Sequence, residues 1–131
     1  MRIAFLTLDE ALALHADQIA RYGGRPGLRD VALLESALAL PAATFGLHFL
    51  HTSLSEMTAA YLFHLVRNRP FVDGNKRAGL ICALVFLGLN GHRLDAEEDE
   101  LTDLVMGVAA GRITKAEVAV FVAAHARPRR R

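Results

Sequence analysis

Leu8, Leu12, His15, Ile19 and Tyr22 recur at spacings of three and four, which predicts an amphipathic helix over about residues 8–21. Thr7, with Glu10 three positions on, can cap its start, and Gly23-Gly24 can end it. The same start signal recurs at Ser53/Glu56 and Thr114/Glu117. A second helix is expected from Asp30 to Leu40, stopped by Pro41. Residues 41–51, with Pro41, Gly46, His48 and His51, hold no period and read as an irregular connector. A third helix, about 53–67, carries Leu54, Met57, Tyr61 and Leu65 on one stripe and ends at Asn68-Arg69-Pro70, because a residue before proline is pushed out of helical geometry.

The fourth helix, about 75–90, is apolar on every side from Ala78 to Leu89 and predicts a helix buried all round, ending at Asn90-Gly91. Two more follow. One runs from about Glu97 to Ala110, capped near Asp95 and closed by Gly111, and the other from Thr114 to His125. Arg2–Leu6 or His92–Leu94 can supply a short extended pair. The fold expected is all-α, about six helices bundled around the helix at 75–90.

A chain of 131 residues suits one domain, placed at 1–126, with 127–131 as a basic disordered tail. A hydrophobic fraction of 53% with four prolines speaks against disorder of the body, and the apolar run Leu80–Leu89 is too short to span a bilayer. Met1–Leu6 runs into Asp9 and Glu10 without the pattern of a secretion signal, so no membrane is expected and the cytoplasm is the expected location. The lone Cys82 sits in the apolar run and reads as core. Four of the fifteen basic residues lie in the tail, leaving eleven against fourteen acidic residues in the body, a poor basis for direct DNA binding.

The stretch Phe71-Val72-Asp73-Gly74-Asn75-Lys76-Arg77 is a glycine-containing turn that leads straight into the fourth helix. Helix starts expose unpaired N–H groups and the positive dipole end, and so favour anions. Lys76 and Arg77 oppose that dipole but stand where they can grip phosphate, and Asp73 offers the hard oxygen that Mg²⁺ takes when it bridges to nucleotide phosphates. The alternative is an ordinary Asp-Gly-Asn turn beside solvated basic residues. The spacing is not that of a P-loop. His48 and His51 have a zinc-compatible spacing but no further ligand pair, and His15, His64, His92 and His125 read as packing or surface residues. Glu56 reads as a cap.

Residues 68–77 resemble the signature loop of the Fic/Doc family, whose pattern is His-Pro-Phe-x-Asp-Gly-Asn, then Gly or Lys, then Arg. Tyr22-Gly23-Gly24, Leu28-Arg29-Asp30, Glu56 before Ala59-Ala60-Tyr61, and Ala109-Ala110-Gly111 with Ile113 look like Doc-type members. The resemblance implies the Fic fold and transfer of a group from ATP, with Mg²⁺, to a protein hydroxyl. Lys76, and Leu80 in place of a second arginine, match the Doc type, toxins that phosphorylate elongation factor Tu and halt translation. AMP transfer is the alternative activity. The resemblance makes Asp73 the metal ligand and places Phe71, Gly74, Asn75, Lys76 and Arg77 around the phosphates. It makes the connector 41–52 a flap that docks a target peptide as an added strand. It also implies an antitoxin of the Phd type whose tail folds as a helix onto the toxin.

The family's histidine, a general base, falls on Arg69. A guanidinium stays protonated and cannot accept the target's proton, so the chain is expected to be inactive as it stands. Two origins stay open: a single-base lesion that escaped toxicity, which is preferred, or a naturally degenerate homologue that only holds nucleotide or its antitoxin.

Overall fold

The computed structural model describes residues 2–129. Among them six helices follow in order: α1 (Leu8–Tyr22), α2 (Val31–Ala39), α3 (Leu54–Asn68), α4 (Asn75–Leu89), α5 (Glu98–Ala109) and α6 (Lys115–His125). The all-α expectation holds. Two small antiparallel ribbons accompany the helices, β1 (Thr44–Phe45) with β2 (His48–Phe49), and β3 (His92–Leu94) with β4 (Ala126–Pro128).

Capping explains the helix starts. The Thr7 hydroxyl accepts from the Glu10 N–H at 3.1 Å while Glu10 Oε1 accepts from the Thr7 N–H at 2.9 Å, and Thr114 with Glu117 repeats the arrangement. At α3 only half of the box forms. Ser53 caps Glu56, but the Glu56 carboxylate reaches one residue further back, to the Thr52 N–H at 2.7 Å. The cap of α5 is Glu97 rather than Asp95, with Glu100 accepting from the Glu97 N–H.

Pro41 does not stop the second helix outright. It sits in a 3₁₀ turn, Leu40–Ala42, that continues α2, where a missing N–H near a helical start costs nothing. The connector then folds into the β1–β2 hairpin, with Phe45 and Leu47 exposed at 83% and 98%. Tyr22, expected on the buried face of α1, is exposed, because α1 ends there.

The core centres on a pair of helices. α3 buries Met57, Thr58, Ala59, Ala60, Tyr61, Leu62, Leu65 and Val66, and α4 buries Ala78, Gly79, Cys82, Ala83, Phe86 and Leu87 against it. α4 is thus fully buried on one face and partly covered on the other, with Leu89 half exposed, because α3 also packs on α6, α2 and α5 and takes the larger share of the centre. Gly79 permits the close α3–α4 approach, since a Cβ there would lie 2.7 Å from Val66 Cγ2 and 3.2 Å from the Leu62 carbonyl.

Both ends of the described chain are tied down. Residues 2–6 form no strand; instead Asn90 at the end of α4 pairs with both the N–H and C=O of Ala4 at 2.9 Å, and Leu6 N–H donates to the Tyr61 hydroxyl. At the other end, Arg127 and Pro128, expected in a disordered tail, pair with Arg93 and His92, and the Arg129 N–H reaches the Gly91 carbonyl. The strand His92–Leu94 would otherwise leave its backbone groups unpaired, and the tail satisfies them. Arg130 and Arg131 lie outside the described residues. No described helix is long and apolar enough to cross a membrane.

Candidate active site

The loop between α3 and α4 is held from three sides. On the first, the segment after α1 is zipped against it: Arg29 and Asp30 N–H groups both donate to the Pro70 carbonyl, Val72 N–H donates to Gly27, and Leu28 bridges Phe71. On the second, the Arg29 guanidinium donates to the Arg69 and Asn68 carbonyls at 2.8 and 3.0 Å, satisfying carbonyls that the end of α3 leaves free. On the third, the Asn75 amide bridges both ends of the turn, accepting from the Phe71 N–H and donating to the Phe71 carbonyl.

These bonds fix two unusual backbone positions. Gly74 caps α4 with φ 75°, ψ 23°, and its lack of a side chain leaves the first N–H groups of α4 without a side-chain cap. Arg69 ends α3 at φ 51°, ψ 55°, the one non-glycine with positive φ among the described residues. As expected before proline, Arg69 leaves helical geometry, here for the left-handed region, which turns the chain sharply into Pro70.

A cavity of about 340 Å³ opens over the start of α4, lined by Arg67, Arg69, Asp73, Gly74, Asn75 and Lys76, with Val66, Val72 and Ala109. Three cations and an open helix N-terminus face it, balanced by one carboxylate, so its field favours an anion. Arg67 donates to the Val108 and Ala109 carbonyls at 3.3 Å, which brings the end of α5 to the rim.

Asp73 lines this cavity, and both of its carboxylate oxygens accept backbone hydrogen bonds. Oδ2 accepts from the Arg25 N–H at 3.0 Å and Oδ1 from the Gly74 N–H at 2.8 Å, and these bonds hold the carboxyl below its ordinary range. Each oxygen keeps a lone pair, and a single hard carboxylate beside an anion cavity fits a Mg²⁺ ion that draws its other ligands from phosphate and water.

Of the residues singled out in the sequence, Arg69, Asp73, Gly74, Asn75 and Lys76 come together at this cavity. Phe71 and Arg77 do not line it. Phe71 is buried beneath the loop, and Arg77 Nη1 donates to the Gly23 carbonyl at 2.7 Å and more weakly to Gln18 at 3.4 Å, tying α4 to the end of α1. Arg67, Arg29 and His15 are residues that sequence reasoning did not place here. Arg67 stood four positions before the loop's Phe71, with nothing to mark it; Arg29 was part of the family resemblance, but its role shows only in three dimensions.

A larger groove of about 540 Å³ lies between the start of α3 and α6 and includes no residue of the loop. At its edge the Lys115 ammonium donates to His51 Nε2 at 3.2 Å and to His64 Nε2 at 3.3 Å. Burial first, and then Lys115, depress both imidazoles, His64 to about 4.

Residues 5–87 match the Fic/DOC family. The chain is 39% identical to the protein kinase doc of Escherichia phage P1, over 85% of this chain and 86% of that one. It is 40% identical to the toxin Doc of Mycolicibacterium smegmatis, over 78% of this chain and 79% of that one.

Proposed function

The chain belongs to the Fic/DOC family, and from that premise we propose that it is a Doc-like toxin that transfers the terminal phosphoryl group of ATP to a protein hydroxyl. The observation that carries this reading is the cavity at the open start of α4, where Arg67, Arg69, Lys76 and Asp73 meet. Backbone N–H groups of α4 and the ammonium of Lys76 bind and orient the phosphates. Asp73 would hold Mg²⁺, which supplies charge neutralisation between phosphate oxygens when bound. Arg77 acts at a distance, fixing α4 against the end of α1.

The proton of the target hydroxyl needs an acceptor, and Arg69 is not one. The chain therefore holds nucleotide but turns it over about 10²–10⁴ times more slowly than a histidine form would. Elongation factor Tu is the proposed target, the β1–β2 hairpin the proposed dock for its peptide, and an antitoxin of the Phd type the proposed restraint. Arrest of growth by the histidine form is read as a block of translation in the cytoplasm.

The test is expression of Arg69→His beside the parent chain. Growth arrest by Arg69→His alone, with the mass of one phosphoryl group gained by purified elongation factor Tu, is the expected result. Gain of an AMP group instead would move the chain to the AMP-transferring branch. Normal growth and no modification, with folded protein present, would sink the toxin reading.

A further inference from the structure

His15 projects from the middle of α1 and is 4% exposed. Its ring lies flat on Phe71, with centroids 3.7 Å apart and planes 6° from parallel. Its Nε2 stands 2.8 Å from the Asp73 carbonyl oxygen. A carbonyl only accepts, so Nε2 carries the proton and the tautomer is fixed.

That bond sets the orientation of one peptide plane. The 73–74 peptide is planar and trans, so a carbonyl turned toward α1 sends the Gly74 N–H to the opposite side. There the N–H meets Asp73 Oδ1 at 2.8 Å and fixes the carboxylate of a residue that lines the cavity. The other oxygen is held by Arg25, beyond the end of the same helix. A Cβ added at Gly74 would come within 3.5 Å of His15 Nε2, so the imidazole sits directly behind the residue that opens α4.

We propose that His15 is a positioning residue for the Asp73 carboxylate, acting through the Asp73–Gly74 peptide and thereby on the binding of a divalent cation with nucleotide. This rests on the proposed phosphoryl-transfer function. Nothing in the periodicity of α1 distinguishes His15 from an ordinary core residue, and the stack on Phe71 alone would make it one. The donor bond to the loop gives it the second role, since outer-shell partners of a metal-ligating group typically carry about 10–100-fold in affinity.

The test measures ATP binding by calorimetry, with and without Mg²⁺, for the parent chain, His15→Phe and His15→Gln. Phenylalanine keeps the stack and loses the donor; glutamine keeps a donor at similar reach and loses the stack. His15→Phe should weaken Mg²⁺-dependent binding by about tenfold or more while metal-free binding changes far less, and His15→Gln should stay near the parent. Should His15→Phe fail to fold, His15→Met, also without a donor, carries the same comparison. Equal losses with and without Mg²⁺, or a donor-free variant that binds like the parent, would overturn the role of His15 and leave the functional proposal standing. A parent chain that binds no ATP in either condition would overturn both.

Discussion

Gly24→Ala tests the joint between the segment after α1 and the loop between α3 and α4. Gly24 has φ +118°, a geometry that costs a side-chain-bearing residue about 1–3 kcal/mol. Its added Cβ would also meet Arg77 Nη2 and Asp73 Oδ2 at 2.9 Å and Ile19 Cδ1 at 3.0 Å. Ile19 can rotate aside, but Asp73 and Arg77 are held by the bonds that orient the cavity, so a further cost of about 1–2 kcal/mol falls on them. Gly23→Ala supplies the control: φ is +85° and nothing lies within 4 Å of the added carbon, so it carries backbone strain alone. For 131 residues each kcal/mol corresponds to roughly 3–4 °C in Tm, which places Gly24→Ala about 10 °C below the parent and Gly23→Ala at about half that loss. Calorimetric melts give the stabilities, and titration with Mg²⁺ and ATP reads the site. Only Gly24→Ala should also lose affinity, by about tenfold, because only it displaces Asp73. Equal melting losses and equal affinities for the two variants would refute the claim that this glycine is required by the loop it touches.

Two other expectations concern the scaffold. His64 is neutral in the fold, depressed to about 4 by burial and by Lys115, whereas the unfolded chain takes up its proton near 6.5; stability should therefore fall as pH drops from about 6.5 to 4. Discounted for partial solvation, the loss attributable to His64 is about 1–2 kcal/mol, and urea melts should show a flatter acid limb for His64→Gln; an unchanged limb would count against the depressed imidazole. Gly79→Ala pushes a methyl into Val66 and the Leu62 carbonyl between α3 and α4, and should destabilise by about 1–2 kcal/mol in denaturant despite alanine's better helix propensity. A gain in stability there would show that the central helix pair is looser than its geometry requires.

The helices were legible because their signals are local. Thr7, Ser53 and Thr114 announce their starts through a residue three positions on, and Gly23 ends α1 with a single residue's geometry. What was not legible depends on partners far apart in the chain. Arg127 pairs with Arg93 only because the end of α6 passes beside β3, and Arg77 finds the Gly23 carbonyl rather than the cavity because α1 ends beside α4. The irregular look of residues 41–51 hid a hairpin of two-residue strands, too short to show an alternating period. At the site, the turn and its charges suggested Asp73 to Lys76 and the family resemblance added Arg69, while Arg67 at the mouth and His15 behind the loop carry no local mark, and the role of Arg29 shows only in three dimensions.

Arg69 joins these two levels. Its left-handed backbone is fixed by Arg29 on its carbonyl and by the pairing of residues 27–30 with 70–72, all of which act on main-chain atoms. None of these bonds uses the Arg69 side chain, so a residue that tolerates positive φ can replace it without losing them. Histidine is among the residues enriched at positive φ, and arginine is not. The backbone thus suits the residue that the family pattern expects, while the side chain present adds a cation to the anion cavity and removes the proton acceptor. Under the proposed function, binding and turnover part at this one position: the residues proposed to hold phosphate line the cavity, and the proton acceptor is what Arg69→His would return.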